Sequence, residues 1–295
     1  MSRLADPKIV MAIKDLPLAA KTTVDGFMAG IHNSNVKGIG TEFSQYRSYQ
    51  PGDDLRRLDW KMFARSDRYY IRESEIETSI SVRFLIDASA SMNHADGEFT
   101  KIEYARYLTA SLAYLATLQG DAIGLYVLND GGLYALPTKK DHQHLARIYH
   151  QLENINPSGK FANAIAYNEI FTGAGKKELL ICITDYYEEQ GEITKLLHAL
   201  AGSKHEVIVF HLIGKNEMDL DFKGYNTLQD LETGKTVQVN TEQNIKQYKE
   251  RLQQHLESIK KSLLDKNIFY ELITMNEPIE KALIRFLKHR NKSIR

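Results

Sequence analysis

The sequence predicts an α/β protein with a doubly wound, mostly parallel sheet and helices on both faces of that sheet. From residue 81 onward, short apolar runs alternate with segments of helical periodicity, which is typical of βαβ units. The runs at 179–184 and 207–213 are continuously apolar, as strands in the interior of a parallel sheet are. The 295 residues suffice for one large domain or two modest ones.

The elements follow in order from residue 81. The first strand is predicted at 82–86, and apolar residues recur at helical spacing over 102–115, before Gly120. A hairpin is predicted over 225–239, around Thr233-Gly234. The remaining strands are predicted at 123–128, 133–136, 179–184, 207–213 and 268–273, and the remaining helices at 144–152, 161–170, 193–201, 241–264 and 278–289.

Composition changes once along the chain, near residue 80. Residues 1–80 are rich in Arg, Tyr, Gly and Asp, whereas the later residues carry the alternating pattern. We therefore predict an N-terminal segment, residues 1–80, packed on a main domain of residues 81–295.

Charge and cysteine content exclude several classes of protein. Lys plus Arg is 38 and Asp plus Glu is 38, so the formal net charge is zero, which argues against a strongly basic nucleic-acid binder. The single cysteine, Cys182, excludes an internal disulfide framework and a multi-cysteine zinc site, and its apolar surroundings predict a buried side chain. No stretch reaches the ~18–20 apolar residues of a membrane helix, so we expect a cytoplasmic protein without a transmembrane segment.

Polar side chains follow two of the predicted strands. The first strand ends in Asp87-Ala88-Ser89-Ala90-Ser91, and the strand at 179–184 is followed by Asp185. Ligand sites of doubly wound sheets lie beyond the carboxyl ends of strands, where the strand order reverses. Two carboxylates and two hydroxyls are hard oxygen donors that suit Mg²⁺ or Mn²⁺. A simple helix-capping loop is the alternative interpretation, since Ser and Asp are common there.

The Asp-x-Ser-x-Ser run resembles the start of the metal-ion-dependent adhesion site of the von Willebrand factor A fold. The residues before it make the resemblance more specific: 40–43, the run RSYQPGDDLRRLDWK at 47–61, 64–65 and 70–73. With the later Asp230-Leu231-Glu232-Thr233-Gly234, they resemble the bacterial "domain of unknown function 58" family. The resemblance covers residues 29–290 and implies a von Willebrand A-like domain.

The family resemblance also implies partners. Members of this family are typically encoded beside MoxR-type AAA+ ATPases and are thought to act as adaptors or substrate-recognition partners. The resemblance therefore implies a non-enzymatic protein–protein interaction module that works with such an ATPase and an unknown client. Many members carry N-terminal membrane helices, and this chain is expected to be a short, soluble form.

One departure from the A-domain pattern concerns the metal. The adhesion site takes a threonine from the loop that corresponds to residues 156–164, which contains none. Ser158 could supply the hydroxyl instead, or Lys160 could place an ammonium near the site and replace the cation. The candidate ligands of Mg²⁺ or Mn²⁺ are thus Asp87, Ser89, Ser91, Asp185 and Ser158.

Two other functions stay open at this point. A metal-dependent hydrolase would use the same cluster. A hydrolase with Ser89 or Ser91 as nucleophile and His94 as base is a separate idea, and the loop position of His94 favours a solvent-facing histidine instead. A degenerate A domain would bind partners without metal, through the arginine-rich face of residues 42–77. The numbers of acidic and basic residues in 42–77 differ by only one, so we expect these charges to pair mostly with one another. The expected pairs are formed by Arg47, Arg56, Arg57 and Arg65 with Asp53, Asp54 and Asp59.

Overall fold

The computed structural model describes residues 7–33, 44–50, 58–74, 79–162, 167, 170, 177–203, 205–220 and 224–293. The chain divides into two compact units, one of Met28–Ser79 and one of Met1–Phe27 with Ile80–Arg295. The division into a segment 1–80 and a domain 81–295 stays a prediction about domain organisation.

The described helices and strands alternate along most of the chain. The helices are α1 (Pro7–Ala12), α2 (Leu16–Asn33), α3 (Trp60–Ser66), α4 (Lys101–Leu118), α5 (His142–Glu153), α6 (Glu192–Gly202), α7 (Lys215–Asp219), α8 (Thr241–Leu264) and α9 (Ile279–Ser293). The strands are β1 (Ser44–Ser48), β2 (Tyr70–Ser74), β3 (Ser81–Asp87), β4 (Ala95–Asp96), β5 (Phe99–Thr100), β6 (Ala122–Asn129), β7 (Gly132–Lys139), β8 (Leu179–Thr184), β9 (Glu206–Ile213), β10 (Tyr225–Gln229), β11 (Thr236–Asn240) and β12 (Phe269–Thr274).

The larger unit is built on a six-stranded sheet in the order β12-β9-β8-β3-β6-β7. Every neighbouring pair is parallel except β6 and β7, which are antiparallel at one edge. The chain runs outward from β3 to β7, returns to β8 on the other side of β3, and continues outward to β12. The strand order therefore reverses between β3 and β8. This topology confirms the predicted doubly wound, mostly parallel sheet.

Helices cover both faces of the sheet. Successive side chains of each strand point to opposite faces, and on both faces they are buried against helices. On one face, Leu85, Cys182 and Val209 belong to a core formed with Leu196 of α6 and Ile259 of α8. The other face packs against α4, which in turn contacts α5 and α9. The interior strand β8 is buried over its whole length, as its continuous apolar pattern predicts.

The separate elements agree with the predicted order. The predicted helix at 161–170 lies mostly outside the described residues, and the other predicted strands and helices of the main domain are confirmed. Cys182 is 1% exposed, and burial raises the pKa of its thiol, as expected of a small apolar core residue.

The smaller unit contains an antiparallel pair, β1 and β2, and the short helix α3. Asp59 caps α3, because its carboxylate accepts the N–H groups of Lys61 and Met62 at 2.9 Å. The rings of Phe63 and Tyr69 stack at 4.5 Å. The predicted network of arginines and aspartates falls largely outside the described residues, which do not include 51–57.

Candidate functional site

The site begins with Asp87, the last residue of β3, at the point where the strand order reverses. Asp87 is fully buried, and its carboxylate holds two chain segments together. Oδ1 accepts the Ser89 N–H at 2.9 Å, and Oδ2 accepts the Thr184 hydroxyl at 2.6 Å. Asp87 thus fixes the loop after β3 against the end of β8.

A row of hydroxyls connects this loop to the second carboxylate. Ser91 Oγ donates to Asp185 Oδ1 at 3.0 Å, and the Oγ atoms of Ser89 and Ser91 lie 2.9 Å apart. Because the one hydroxyl proton of Ser91 goes to Asp185, Ser89 is the donor to Ser91. The structure therefore brings together four of the five predicted site residues: Asp87, Ser89, Ser91 and Asp185.

Lys101 adds a buried positive charge to the site. Its Nζ lies 2.9 Å from Asp185 Oδ2 and 2.8 Å from Glu217 Oε1. Burial lowers the pKa of Lys101, but the two carboxylates outweigh that effect and raise it overall. Lys101 is the first residue of α4, where the helix dipole disfavours a cation, so these carboxylates compensate for an unfavourable position.

The turn between β10 and β11 is organised by Asp230. Asp230 Oδ1 accepts the N–H groups of Glu232 at 2.9 Å and Thr233 at 3.3 Å, and Oδ2 accepts the Tyr187 hydroxyl at 2.9 Å as well as the Thr233 hydroxyl. Partial burial raises the pKa of Asp230, but these hydrogen bonds outweigh it and lower the pKa to about 2. Tyr187 follows Asp185 closely, so this bond ties the turn to the end of β8.

The same turn brings Glu232 to the site. Burial and the Asp87 and Asp185 carboxylates raise the pKa of Glu232 to about 7, although the hydroxyls of Ser89 and Ser91 lower it. Glu232 Oε1 is buried and has no hydrogen-bond partner among the described residues. The serine hydroxyls are thus close enough to act on the carboxyl group without satisfying this oxygen.

The donor set fits a hard divalent cation. Burial and the neighbouring Asp185 carboxylate raise the pKa of Asp87 to about 7. Together with the orphaned oxygen of Glu232, this indicates more negative charge than the described neighbours neutralise. Within the described ranges, no three His, Cys, Asp or Glu side chains are spaced for a metal ion, so an ion here would need the hydroxyls of Ser89 and Ser91 as ligands.

A cavity of 170 Å³ opens beside these groups. Ser91 and Asp185 line it on the sheet side, and the hairpin of β10 and β11 lines it on the other. The full lining is Ser91, His94, Lys101, Asp185, Tyr187, Glu217, Gln229, Asp230 and Leu231. The candidate site is therefore reached through a small polar cavity.

The side chains of the other residues singled out from the sequence have partners outside the cluster. The Ser158 N–H donates to Ala88 O at 2.9 Å, but its hydroxyl lies 3.5 Å from the side-chain amide of Asn129. Lys160 interacts electrostatically with Glu232 and Asp230 of the turn beside the site, so its role as a replacement for the metal cation stays a prediction. Its Nζ pairs at 3.1 Å with the exposed Glu189, and Lys101 is the cation that lies in the site.

His94 lines the same cavity as Ser91, but its ring nitrogen is engaged by other side chains. Its Nε2 lies 2.9 Å from Asn216 Oδ1 and 3.8 Å from Glu217 Oε2. Sequence reasoning missed Lys101, Thr184 and Glu217 and gave Glu232 no role. The position of a lysine at the start of a helix was the available signal for Lys101.

Comparison with known protein families shows which family this chain belongs to. The model of the family described as "Protein of unknown function DUF58" matches residues 45–258. The chain belongs to this family. The match includes both strand ends of the site and the turn that carries Glu232. An uncharacterized protein of Mycobacterium tuberculosis is 27% identical to this chain over 234 residues, which are 78% of this chain and 73% of that protein.

A solved structure supports the fold. An aerotolerance-related membrane protein from Bacteroides fragilis covers 72% of this chain and 100% of its own, with 18% identity and a TM-score of 0.51. The conserved hypothetical protein BatB from Bacteroides thetaiotaomicron has the same coverage, with 21% identity and a TM-score of 0.48. Von Willebrand factor A domains are also among the similar structures, at TM-scores of 0.36. No helix in the described part of this DUF58 chain is long and apolar enough to cross a membrane.

Proposed function

We propose that this DUF58 protein is a non-enzymatic interaction module that holds Mg²⁺ or Mn²⁺ at the end of β3 and β8 and binds a protein partner there. The observation that carries the proposal is the linked set of Asp87, Ser89, Ser91 and Asp185 at the point where the strand order reverses. Such points are where doubly wound sheets bind ligands.

Each residue has a separate role in this proposal. Ser89 and Ser91 would hold the ion through their hydroxyl oxygens, and Asp87 and Asp185 would hold it directly or through water. Asp87 also positions the loop through the Ser89 N–H, and Thr184 orients Asp87. Ser158 stays a candidate fifth ligand. The ion would supply a Lewis-acidic attachment point for an acidic side chain of the partner.

The partner we propose is a MoxR-type AAA+ ATPase, as the family resemblance implies, with a client protein that the ATPase acts on. Such a complex would form in the cytoplasm. The acidic, oxygen-lined cavity favours recognition of a protein carboxylate through a shared cation, because hard divalent ions prefer oxygen ligands.

Calorimetric titration with MgCl₂ and MnCl₂ tests the metal. Wild type should release saturable heat, and Asp87→Ala should not. Asp87→Asn keeps the shape of the buried side chain and serves if the alanine variant does not fold. Glu189→Ala removes an exposed carboxylate outside the cluster and should bind as wild type does. Equal or absent heats in wild type and Asp87→Asn would overturn the metal site.

Co-purification with the MoxR-type ATPase from the same organism tests the partner. Binding should be lost in EDTA and in Asp87→Asn, and it should return when Mn²⁺ is restored to wild type. Undiminished capture by Asp87→Asn would count against this mechanism. It would favour a partner surface elsewhere, such as the arginine-rich face.

One observation supports the metal-free alternative. The Lys101 ammonium already provides Asp185 with a cation, at 2.9 Å. A degenerate A domain would use this internal charge and no metal, and it would show no metal-dependent heat. A serine nucleophile with His94 as its base lacks such support, because the ring of His94 hydrogen-bonds to Asn216.

A further inference from the structure

The turn of β10 and β11 carries a carboxylate to the candidate metal site from outside the α/β sheet. We infer that Glu232 is an intramolecular ligand of the metal ion at this site. Its carboxylate occupies the coordination position that an acidic side chain of a bound partner would take. The inference rests on the proposed function and adds its regulation: the partner must present a carboxylate that displaces Glu232.

The position of the turn supports this role. Asp230 and Leu231 line the same cavity as Ser91 and Asp185. The hydrogen bond from Tyr187 to Asp230, 2.9 Å long, fixes the turn beside the end of β8. The Glu232 N–H donates to Asp230, so the backbone at residue 232 is held as well. Glu232 is therefore placed at the site by the local structure of the turn.

The charges around Glu232 favour a cation as its partner, because the one ammonium of the described residues known to interact with it, that of Lys160, is exposed and paired with Glu189. Lys101 directs its ammonium at Asp185 and Glu217, at 2.9 and 2.8 Å. Glu232 Oε1 is buried without a hydrogen-bond partner in the described part of the chain. A buried carboxylate oxygen without a hydrogen bond destabilises the folded protein, and a cation beside the serine hydroxyls would remove this penalty by binding the oxygen.

The hairpin can move without disturbing the main sheet. Strands β10 and β11 pair with each other in a two-stranded sheet of their own. Withdrawal of Glu232 from the site would break contacts of the turn, chiefly the hydrogen bond from the Tyr187 hydroxyl to Asp230. The hydrogen bonds of the six-stranded sheet would stay intact. Exchange of Glu232 for a partner carboxylate is thus a local change.

Water-proton relaxation of bound Mn²⁺ tests the inference, because it reports both affinity and the number of exchangeable waters on the ion. We expect Glu232→Ala to weaken Mn²⁺ binding by at least about tenfold, since even indirect contacts at metal sites contribute that much. We also expect its bound ion to relax water as if one more water were coordinated. The control is Glu189→Ala, which removes the same charge from an exposed position and should match wild type.

Acetate then serves as the probe for a partner carboxylate. In Mn²⁺-loaded Glu232→Ala, acetate should lower the relaxation toward the wild-type value, and wild type should need at least about tenfold more acetate for any change. Mn²⁺ binding that is identical in wild type and Glu232→Ala, in affinity and in relaxation, would overturn the role of Glu232 and leave the metal site intact. Absence of Mn²⁺ binding in wild type would overturn the metal site itself, and this inference with it.

Discussion

Lys101 Nζ lies 2.9 Å from Asp185 Oδ2, and the two side chains are only 5% and 2% exposed. The other oxygen of Asp185 accepts the Ser91 hydroxyl. Asp185 is therefore held from both sides, by an ammonium and by a serine. This arrangement fixes one carboxylate of the site, while no ammonium or guanidinium of the described residues forms an ion pair with Asp87.

Replacement of Lys101 should be strongly destabilising. We expect Lys101→Met to lower the free energy of unfolding by about 3–5 kcal/mol, because it leaves the buried Asp185 charge uncompensated. Urea denaturation followed by circular dichroism measures the change. Lys160→Met breaks an ion pair whose side chains are 42% and 47% exposed and should leave the urea midpoint unchanged. Similar midpoints for both variants would contradict the importance of the buried pair.

The hydroxyls of the site should differ in their effect on metal binding. We expect Ser91→Ala to weaken Mn²⁺ binding by at least about tenfold, because Ser91 is both a candidate ligand and a donor to Asp185. Ser158→Ala should change the affinity far less, since the hydroxyl of Ser158 lies against Asn129. Calorimetry on the two matched serine variants measures this. A larger loss in Ser158→Ala would instead support Ser158 as a fifth ligand.

The turn of the hairpin should depend on Asp230. In Asp230→Ala the amides of Glu232 and Thr233 lose their acceptor, so we expect their hydrogen exchange to become at least about tenfold faster. Exchange followed by NMR measures it residue by residue. Amides of the buried strand β8 are the internal control and should exchange as before. Unchanged exchange at Glu232 would show that the turn is held by other contacts.

His211 should make stability less favourable in mild acid, against the opposite contribution of Asp87 and Glu232, whose raised pKa values favour the folded state as the pH falls. Burial lowers the pKa of His211 to about 3, although the Asp185 carboxylate opposes this effect, and its Nδ1 lies 2.8 Å from the Tyr270 hydroxyl. The unfolded chain takes up a proton near pH 6.5 and the folded chain does not, so stability is lost as the pH falls from 6.5 toward 3. The loss at pH 5 is about 2 kcal/mol from this group.

The variant His211→Gln isolates that contribution, because it does not titrate. Urea unfolding at pH 7.5 and pH 5.0, in EDTA, should show that the change in the free energy of unfolding on acidification is less favourable in wild type than in His211→Gln by about 2 kcal/mol. The remaining histidines contribute equally to both proteins. Equal changes in the two proteins would mean that His211 is protonated in the folded state.

The fold was predictable because its signals are local. Strands β8 and β9 are buried on both faces, so their continuous apolar runs stand out in the sequence. The alternation of strands with helices then leads to a parallel sheet, and the rule for strand ends places Asp87 and Asp185 at the same edge. The proximity of these two side chains thus follows from the pattern alone.

The rest of the site depends on distant parts of the chain, which no local pattern connects. Glu217 approaches Lys101 from 116 positions further along the chain. Glu232 belongs to a hairpin that pairs only within itself, so nothing in its own periodicity directs it to the end of β3. The ion pair of Lys160 with Glu189 could not be predicted for the same reason. The sequence places Lys160 in the expected loop, but the direction of a long, flexible side chain is decided by its neighbours, here Glu189.

The independent pairing of β10 with β11 has an evolutionary consequence. The hairpin is inserted between α7 and α8, so its length and its tip can vary while the six-stranded frame stays the same. A lineage that exchanged Glu232 for a neutral residue would keep the fold and lose only the internal competitor. A single codon change could in this way convert a site from which Glu232 must be displaced into one that binds a partner carboxylate without displacement.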